Sequence, residues 1–185
     1  LLGQFAVEYA RIGGAYPVIA LDFSPERRAL AQKLGADYVF DPSDPELTEK
    51  VKAVTEGRGA NCVIEVTGNP DALNTALLCT ARFGRVALLG CTRVPTTLNL
   101  YNDVHFPGIS LIGAHTMARP DHESSHGWWT SQDDCAAALR LLHTGKLNIH
   151  DIIHEIHKPE DCPAVYARLA TDRSFPIGVL WDWNP

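Results

Sequence analysis

The feature that most limits the folds open to this chain is an alternation of short apolar runs with segments of helical character. Apolar runs of strand length lie at 18–21, 62–66, 85–89 and 109–112, and helical segments separate them. Such alternation predicts parallel strands joined by right-handed helical crossovers, with helices on both faces of the sheet. We therefore expect an α/β fold built on a doubly wound parallel sheet.

Capping residues, apolar spacing and glycine stops mark the helices that separate these runs. They predict helices at 2–12, 24–35, 44–54, 69–81 and 131–143, the last with a Ser131–Asp134 cap, and another helix from Pro159. Further strands are expected at 38–40, 152–156 and 177–181. In a sheet of this kind ligands bind at the carboxyl ends of the strands, so the residues that follow each strand carry the functional information.

The sequence opens inside the first helix, whereas a doubly wound sheet places a strand before that helix. This first strand is missing from the chain as given, and we expect it at the centre of the sheet, between the strands at Val18 and Cys62. Residues before Leu1, or another segment, would have to fill that position, because unpaired buried backbone groups cost on the order of 1–3 kcal/mol each.

Charge, apolar run length and cysteine pattern exclude several classes of protein. Sixteen basic and 22 acidic residues give a net charge of −6, which disfavours a nucleic-acid partner. The longest stretch without charged residues, 104–118, is shorter than the roughly 20 apolar residues of a membrane span, so no membrane partner is expected. Five cysteines without a C-x-x-C pair are typical of reduced thiols, and we predict a cytoplasmic protein.

A glycine and an aspartate share the spacing of a dinucleotide site. Gly3 opens the first helix, and Asp22 ends the next strand 19 residues later, close to the spacing of about 20 between a glycine fingerprint and its ribose-binding acid. Such a glycine lets a pyrophosphate approach the helix amino terminus, and the carboxylate accepts ribose hydroxyls. Only the last glycine of G-x-G-x-x-G is present, so a packing glycine and a solvated aspartate remain the alternative.

Six segments add to this pair: LLGQ at 1–4, ALD at 20–22, AQKLGA at 31–36, IEVTG at 64–68, GRVALLG at 84–90 and LIG at 111–113. Together they resemble the nucleotide-binding half of the medium-chain, zinc-containing alcohol dehydrogenase family, over nearly the whole chain. The resemblance implies a Rossmann-like, N-terminally truncated dinucleotide-binding domain at 1–150. It also implies a C-terminal return segment at 151–185 that would pack on a catalytic lobe absent from this sequence.

The resemblance implies nine cofactor-binding positions: one at the pyrophosphate, two at the adenosine ribose, two on the adenine side and four around the nicotinamide carboxamide. In that order they are Gly3; Asp22 and Arg27; Thr67 and Gly68; and Leu89, Gly90, Ala114 and Thr116. The cofactor would be NAD, favoured over NADP by the Asp22 carboxylate, although Arg27 and Arg28 lie nearby. No catalytic and no metal-binding residue is expected in the chain, because the family's zinc ligands belong to the absent lobe.

The implied parent is an NAD-dependent oxidoreductase that transfers a hydride between a small alcohol or polyol and NAD, and this chain alone is expected to be inactive. His115, next to the expected nicotinamide site, is the one residue that could supply catalysis within the chain. The alternative is a non-catalytic nucleotide-binding module or a zinc-free, quinone-reductase-like relative. The apolar strand at 109–112 also predicts a homo-oligomer, a dimer formed through its free edge.

The stretch from His115 to Thr130 departs from the family pattern and holds two ambiguous motifs. Residues 122–126 fit H-E-x-x-H, but a proline before them, two serines within and a glycine after argue against the helix that a zinc protease needs. Trp128 and Trp129 precede a predicted helix, where a hydrophobic staple on the core is the simpler interpretation and an interface pair is the alternative.

Overall fold

The computed structural model describes residues 1–172 and 174–184. Within these residues the strands are β1 Ile19–Leu21, β2 Tyr38–Phe40, β3 Ala60–Glu65, β4 Thr80–Leu88, β5 Ser110–Gly113, β6 Ile153–His157 and β7 Gly178–Trp181. The α-helices are α1 Leu2–Ile12, α2 Pro25–Lys33, α3 Leu47–Ala53, α4 Pro70–Cys79, α5 Ser131–His143 and α6 Cys162–Thr171. None of the described helices has the length and apolarity needed to cross a bilayer.

Every strand pair is parallel, and helices connect successive strands from β1 to β4. The strands form three groups, β1–β2, β3–β4–β5 and β6–β7. This arrangement confirms the predicted doubly wound α/β fold. In the described ranges β1 pairs only with β2 and β3 pairs only with β4, so each has one edge without a partner strand. These are the two strands between which the sequence predicts the first strand.

Local capping explains why the helix boundaries follow the sequence so closely. The Ser24 hydroxyl accepts a hydrogen bond from the Arg27 amide at 3.2 Å, and Pro25 occupies the first helical position of α2. Gly35, just after α2, has a φ of +114°, a conformation that side chains rarely adopt. The predictions for α1 and α2 are therefore confirmed.

Three predicted boundaries are wrong. Strand β4 begins at Thr80, five residues before Arg85. Thr80 follows α4 with an extended backbone and pairs with Ala60 of β3, and the pairing register then shifts between Ala60 and Cys62. Helix α3 begins at Leu47, because the preceding residues form a turn closed by an aspartate side chain. The N-cap of α5 is Thr130, whose hydroxyl accepts from a backbone amide of the first turn.

Among the described residues three apolar clusters hold the helices on the strands, and one of them packs α3 against β1 and β2. The first joins α1, α2 and β1 and includes Ile152, a residue of the predicted return segment that is almost fully buried there. The second joins α4, β4 and β5 around Val86, which is fully buried. Within β1, Leu21 is 37% exposed.

Candidate functional site

The amino terminus of α1 is an uncapped helix end beside the carboxyl end of β3. Leu1 makes no side-chain cap, and no acidic residue lies in the first turn. The first amides of a helix have no intrahelical partner, so the Leu2 and Gly3 amides are free to bind an anion. A Cβ on Gly3 would lie only 3.3 Å from Cγ2 of Val66, which directly follows β3. The helix end and the strand end are therefore in contact.

Asp22 and Arg27 lie at this same helix end. One Asp22 carboxylate oxygen accepts from the Ser24 amide at 2.9 Å. The Arg27 and Asp22 side chains both lie within electrostatic range of the Leu1 backbone nitrogen. Gln4 of α1 donates to the Arg27 carbonyl at 3.0 Å. The structure thus brings Gly3, Asp22 and Arg27 together, while their role in binding a cofactor stays a prediction.

The neighbouring Arg28 is committed to structural contacts. Its Nη1 donates to the Phe23 carbonyl and to the Asp41 carboxylate, both at 3.0 Å, and to the Asp22 carbonyl. The Ser43 hydroxyl and amide, together with Arg28, lower the pKa of Asp41. Arg28 therefore joins the carboxyl ends of β1 and β2 and is not free to meet a phosphate, whereas Arg27 is exposed.

A buried glutamate joins the ends of β3 and β4, a role that the sequence analysis did not identify. One oxygen of the Glu65 carboxylate accepts from the Thr67 amide at 2.7 Å, from the Thr67 hydroxyl at 2.5 Å and from the Gly68 amide at 3.2 Å. The Glu65 carbonyl accepts from the amides of Leu89 and Gly90 at 2.9 and 2.8 Å. We call these five residues the Glu65 cluster; they include all four predicted positions that follow β3 and β4.

Two glycines allow the loops of the Glu65 cluster to pack backbone against backbone. Gly68 has a φ of +69°, and a Cβ on it would lie 2.8 Å from the Cys91 carbonyl group. A Cβ on Gly90 would overlap the backbone nitrogen of Gly68. Both positions therefore require glycine. The predicted adenine-side and nicotinamide-side residues belong to one packed unit.

An open cleft of about 350 Å³ lies between the ends of β4 and β5. It is lined by Leu88, Leu89, Gly90, Cys91, Thr92, Arg93, Gly113, Ala114 and His115. Three of the four predicted carboxamide positions line this cleft. Thr116 does not; it lies in the turn that the His115 carbonyl closes by accepting from the Ala118 amide at 2.8 Å. A larger depression on the surface of α3, of about 540 Å³, shares no lining residue with this cleft.

The H-E-x-x-H segment at 122–126 forms no helix. Ser125 and Trp128 instead exchange two backbone hydrogen bonds, at 2.8 and 3.0 Å, across a tight turn. Among the described residues no three His, Cys, Asp or Glu side chains are grouped to hold a metal ion. The two imidazoles therefore lack the common helical face that the protease motif requires.

The staple interpretation of Trp128 and Trp129 is wrong, because their side chains are 55% and 51% exposed. With Thr130 as N-cap, the fourth helical position of α5 is Asp134, which offers no apolar partner to the residue before the cap.

The chain is similar to several known proteins. A family model described as zinc-binding dehydrogenase matches residues 2–141. The chain is 34% identical over 160 residues to L-threonine 3-dehydrogenase of Pyrococcus horikoshii, covering 86% of this chain and 42% of that protein. It is 26% identical over 184 residues to D-guloside 3-dehydrogenase of Escherichia coli, covering 97% of this chain and 52% of that protein.

Among solved structures, benzyl alcohol dehydrogenase from Acinetobacter calcoaceticus superimposes with a TM-score of 0.79 at 20% identity, over 98% of this chain and 47% of that chain. At this identity the likeness shows the fold alone. The chain spans about half the length of the relatives that it matches.

Proposed function

Because this chain belongs to the zinc-binding dehydrogenase family, we propose that it is the NAD-binding part of an alcohol or polyol dehydrogenase, which transfers a hydride between its substrate and NAD. The observation that carries the proposal is the contact of the free amino terminus of α1 with the carboxyl end of β3, with Asp22 at the same place. Residues 1–150 would form the dinucleotide-binding domain and 151–185 the return segment.

The described residues fit a dinucleotide. The free amides of Leu2 and Gly3 suit a pyrophosphate, because the positive end of the helix dipole lies there. Ser24 uses only one Asp22 oxygen, and the other would accept from a ribose hydroxyl. The cleft beside Gly90 and Ala114 would orient the nicotinamide through backbone groups. When bound, nicotinamide exchanges a hydride with the carbinol carbon of an alcohol.

The described residues do not fit a catalytic zinc ion, which needs three protein ligands and an open position. We therefore place the zinc ligands in a lobe outside this chain and expect the chain alone to oxidise no alcohol. NADH formation by the isolated chain that is abolished in His115→Ala would contradict this assignment. We also place the enzyme in the cytoplasm, which the free state of its five cysteines supports.

We further propose a two-fold dimer through strand β5. This strand lies at the outer end of its three-stranded group, and its Ile112 side chain is exposed. A free apolar edge favours pairing with a second copy, which would extend the sheet across the two-fold axis. Light scattering that finds only monomer at high protein concentration would contradict the dimer.

The test of cofactor binding uses NADH as the probe and isothermal titration as the measurement. A valine at position 3 would contact Val66 and cover the free amides, so Gly3→Val is expected to weaken NADH binding at least tenfold, the loss of about 1.4 kcal/mol of binding free energy. Gly13→Ala, at the far end of the same helix, serves as the matched control and should bind as the unmodified protein does. No NADH binding by the unmodified protein, or equal binding by Gly3→Val, would contradict the proposal.

A further inference from the structure

We propose that Gln4 and Glu8 of α1 share one buried proton, and that this proton holds the segment at 147–152 against the helix. The proton belongs to the Glu8 carboxyl and is donated to the side-chain oxygen of Gln4. The contact between α1 and the start of the predicted return segment then depends on pH. The inference concerns how the described residues pack, so it stands apart from the proposed function.

Two polar side chains are buried on one face of α1. Gln4 is 6% exposed and Glu8 is 5% exposed. Residues four apart on a helix are neighbours, with their Cβ atoms about 5–6 Å apart. Within the described residues the Oε1 atom of each side chain is buried and has no hydrogen-bond partner. Because a buried acceptor without a donor is costly, two such oxygens on adjacent turns need a common donor.

The hydrogen bonds that Gln4 and Glu8 do make determine which atoms are left over. The Gln4 side-chain nitrogen donates to the Arg27 carbonyl at 3.0 Å, which leaves its Oε1 as a pure acceptor. The Asn148 amide donates to Oε2 of Glu8 at 2.6 Å, which leaves Oε1 of Glu8. Two acceptors cannot bond to each other, but a protonated carboxyl group carries one O–H donor. A proton on Oε1 of Glu8 therefore satisfies both oxygens at once.

The charges around Glu8 also favour its neutral form. The pKa of the Glu8 carboxyl is raised, mainly by burial and also by the nearby Asp151 charge, while the hydrogen bond from the Asn148 amide opposes the shift. In the described part of the chain no cation forms an ion pair with Glu8. The other charged groups on the elements packed around it are Arg11, paired with Asp37 at 3.3 Å; Arg28, paired with Asp41 at 3.0 Å; Lys33, paired with Asp151 at 2.6 Å; Arg27, near the Leu1 nitrogen; His150, near Asp151; and the exposed Glu26.

Loss of the proton would leave a carboxylate charge between α1 and the segment at 147–152. This charge would lie beside the Oε1 atom of Gln4, and an ionised Glu8 would have to turn toward water to be solvated. That movement breaks the hydrogen bond to the Asn148 amide. Leu147 and Ile152, the buried ends of the segment, would then lose part of their packing. Because the folded-state pKa is raised, the contact is complete at low pH and weakens as pH rises through that pKa.

The first experiment follows the Glu8 carboxyl carbon by NMR over a pH series in protein with isotope-labelled glutamate. The resonance is assigned by its absence in Glu8→Gln, and it should titrate at a higher pH than the exposed glutamates. Gln4→Met keeps the side-chain length and removes the acceptor, so it should lower the Glu8 pKa. Burial alone predicts no change or a rise, because methionine makes the surroundings less polar. Gln32→Met, at an exposed position of α2, is the matched control and should leave the titration unchanged.

The second experiment measures the hydrogen-exchange protection factor of the Asn148 amide over the same pH series. In the unmodified protein it should fall about tenfold for each pH unit between the ordinary glutamate pKa and the folded-state pKa of Glu8. Glu8→Gln should keep the protection at every pH, because its NH₂ group donates to Gln4 and its oxygen accepts from Asn148.

Three outcomes would overturn the inference: a Glu8 carboxyl that titrates with the exposed glutamates, an unchanged or raised Glu8 pKa in Gln4→Met, or an equal fall of Asn148 protection in Glu8→Gln. Circular dichroism checks that each variant folds. Should Gln4→Met fail to fold, the titration of the unmodified protein and the exchange data on Glu8→Gln still decide the question.

Discussion

Asp22→Asn is the sharpest test of the proposed preference for NAD over NADP. The asparagine keeps a carbonyl oxygen that can accept from the Ser24 amide, so the start of α2 should be unchanged. It removes the negative charge that would meet the extra phosphate of NADP. We expect the variant to bind NAD more weakly and NADP more tightly.

The magnitude follows from one hydrogen bond and one charge pair. Replacing a charged acceptor of a ribose hydroxyl by a neutral one costs NAD about 1 kcal/mol. A phosphate carrying roughly two charges at about 5 Å from a half-exposed carboxylate is repelled by about 1.5–2 kcal/mol in a water-like dielectric. The two effects add to about 2.5–3 kcal/mol in the ratio of affinities, so the preference for NAD should fall roughly 60- to 140-fold.

The assay is a pair of isothermal titrations with NADH and NADPH at fixed ionic strength, because added salt screens the charge pair. Asp172→Asn is the matched control: Asp172 also accepts from the amide two residues on, Ser174, at 2.8 Å, but it follows α6 in the return segment. An unchanged affinity ratio in Asp22→Asn, or tighter binding of NADPH than NADH by the unmodified protein, would refute the reasoning. Arg27 would then control the choice of cofactor, since Arg28 is held by Asp41.

Three further predictions concern stability. Burial raises the pKa of the Glu8 carboxyl, so the contribution of this group to stability should be lost as pH rises from the ordinary glutamate range through its folded-state pKa. Carboxyls with lowered pKa values, such as Asp151, act in the opposite direction, so the test is a difference: Glu8→Gln, which can still accept from the Asn148 amide, should gain stability relative to the unmodified protein between pH 4 and 7.5 in urea unfolding. An equal pH dependence in the two proteins would contradict this prediction. Thr130→Ala should lose about 1 kcal/mol of unfolding free energy in the same assay, and Thr130→Ser much less, because only the alanine removes the helix cap. Gly90→Ala should lose about 3 kcal/mol of unfolding free energy and abolish NADH binding, because its Cβ would overlap the Gly68 backbone. Gly113→Ala is the matched control: a Cβ there meets nothing within 4 Å, so the thermal unfolding midpoint should stay within a degree or two of the unmodified protein.

The sequence predicts the parts of this fold that local chemistry determines. Helix α2 begins at its Ser24 cap, and α1 ends at the Gly13 stop, because such signals act within a few residues. The early start of β4 depends on the pairing of Thr80 with Ala60, twenty residues away, and no local pattern encodes that register.

The candidate site likewise has one part that the sequence predicts and one part that depends on the packing of strands. Gly3 and Asp22 are found from their spacing, whereas the role of Glu65 appears only when β3 and β4 lie side by side. A glutamate at the end of an apolar strand was the available signal, since a buried carboxylate requires several donors. The failed staple, by contrast, has a local cause: once Thr130 is the N-cap of α5, Trp129 precedes the cap and the polar Asp134 occupies the position of its apolar partner.

The Glu65 cluster has a mechanical consequence for any catalytic cycle in which the chain takes part. Because one carboxylate and one carbonyl of Glu65 hold the loops after both β3 and β4, those two loops cannot move independently without breaking buried hydrogen bonds. A dinucleotide that contacts both loops would therefore bind to one rigid unit. Closing the active site would then require rotation of this whole body against another domain, and the hinge would lie in the segments that leave the domain rather than in the loops that hold the cofactor.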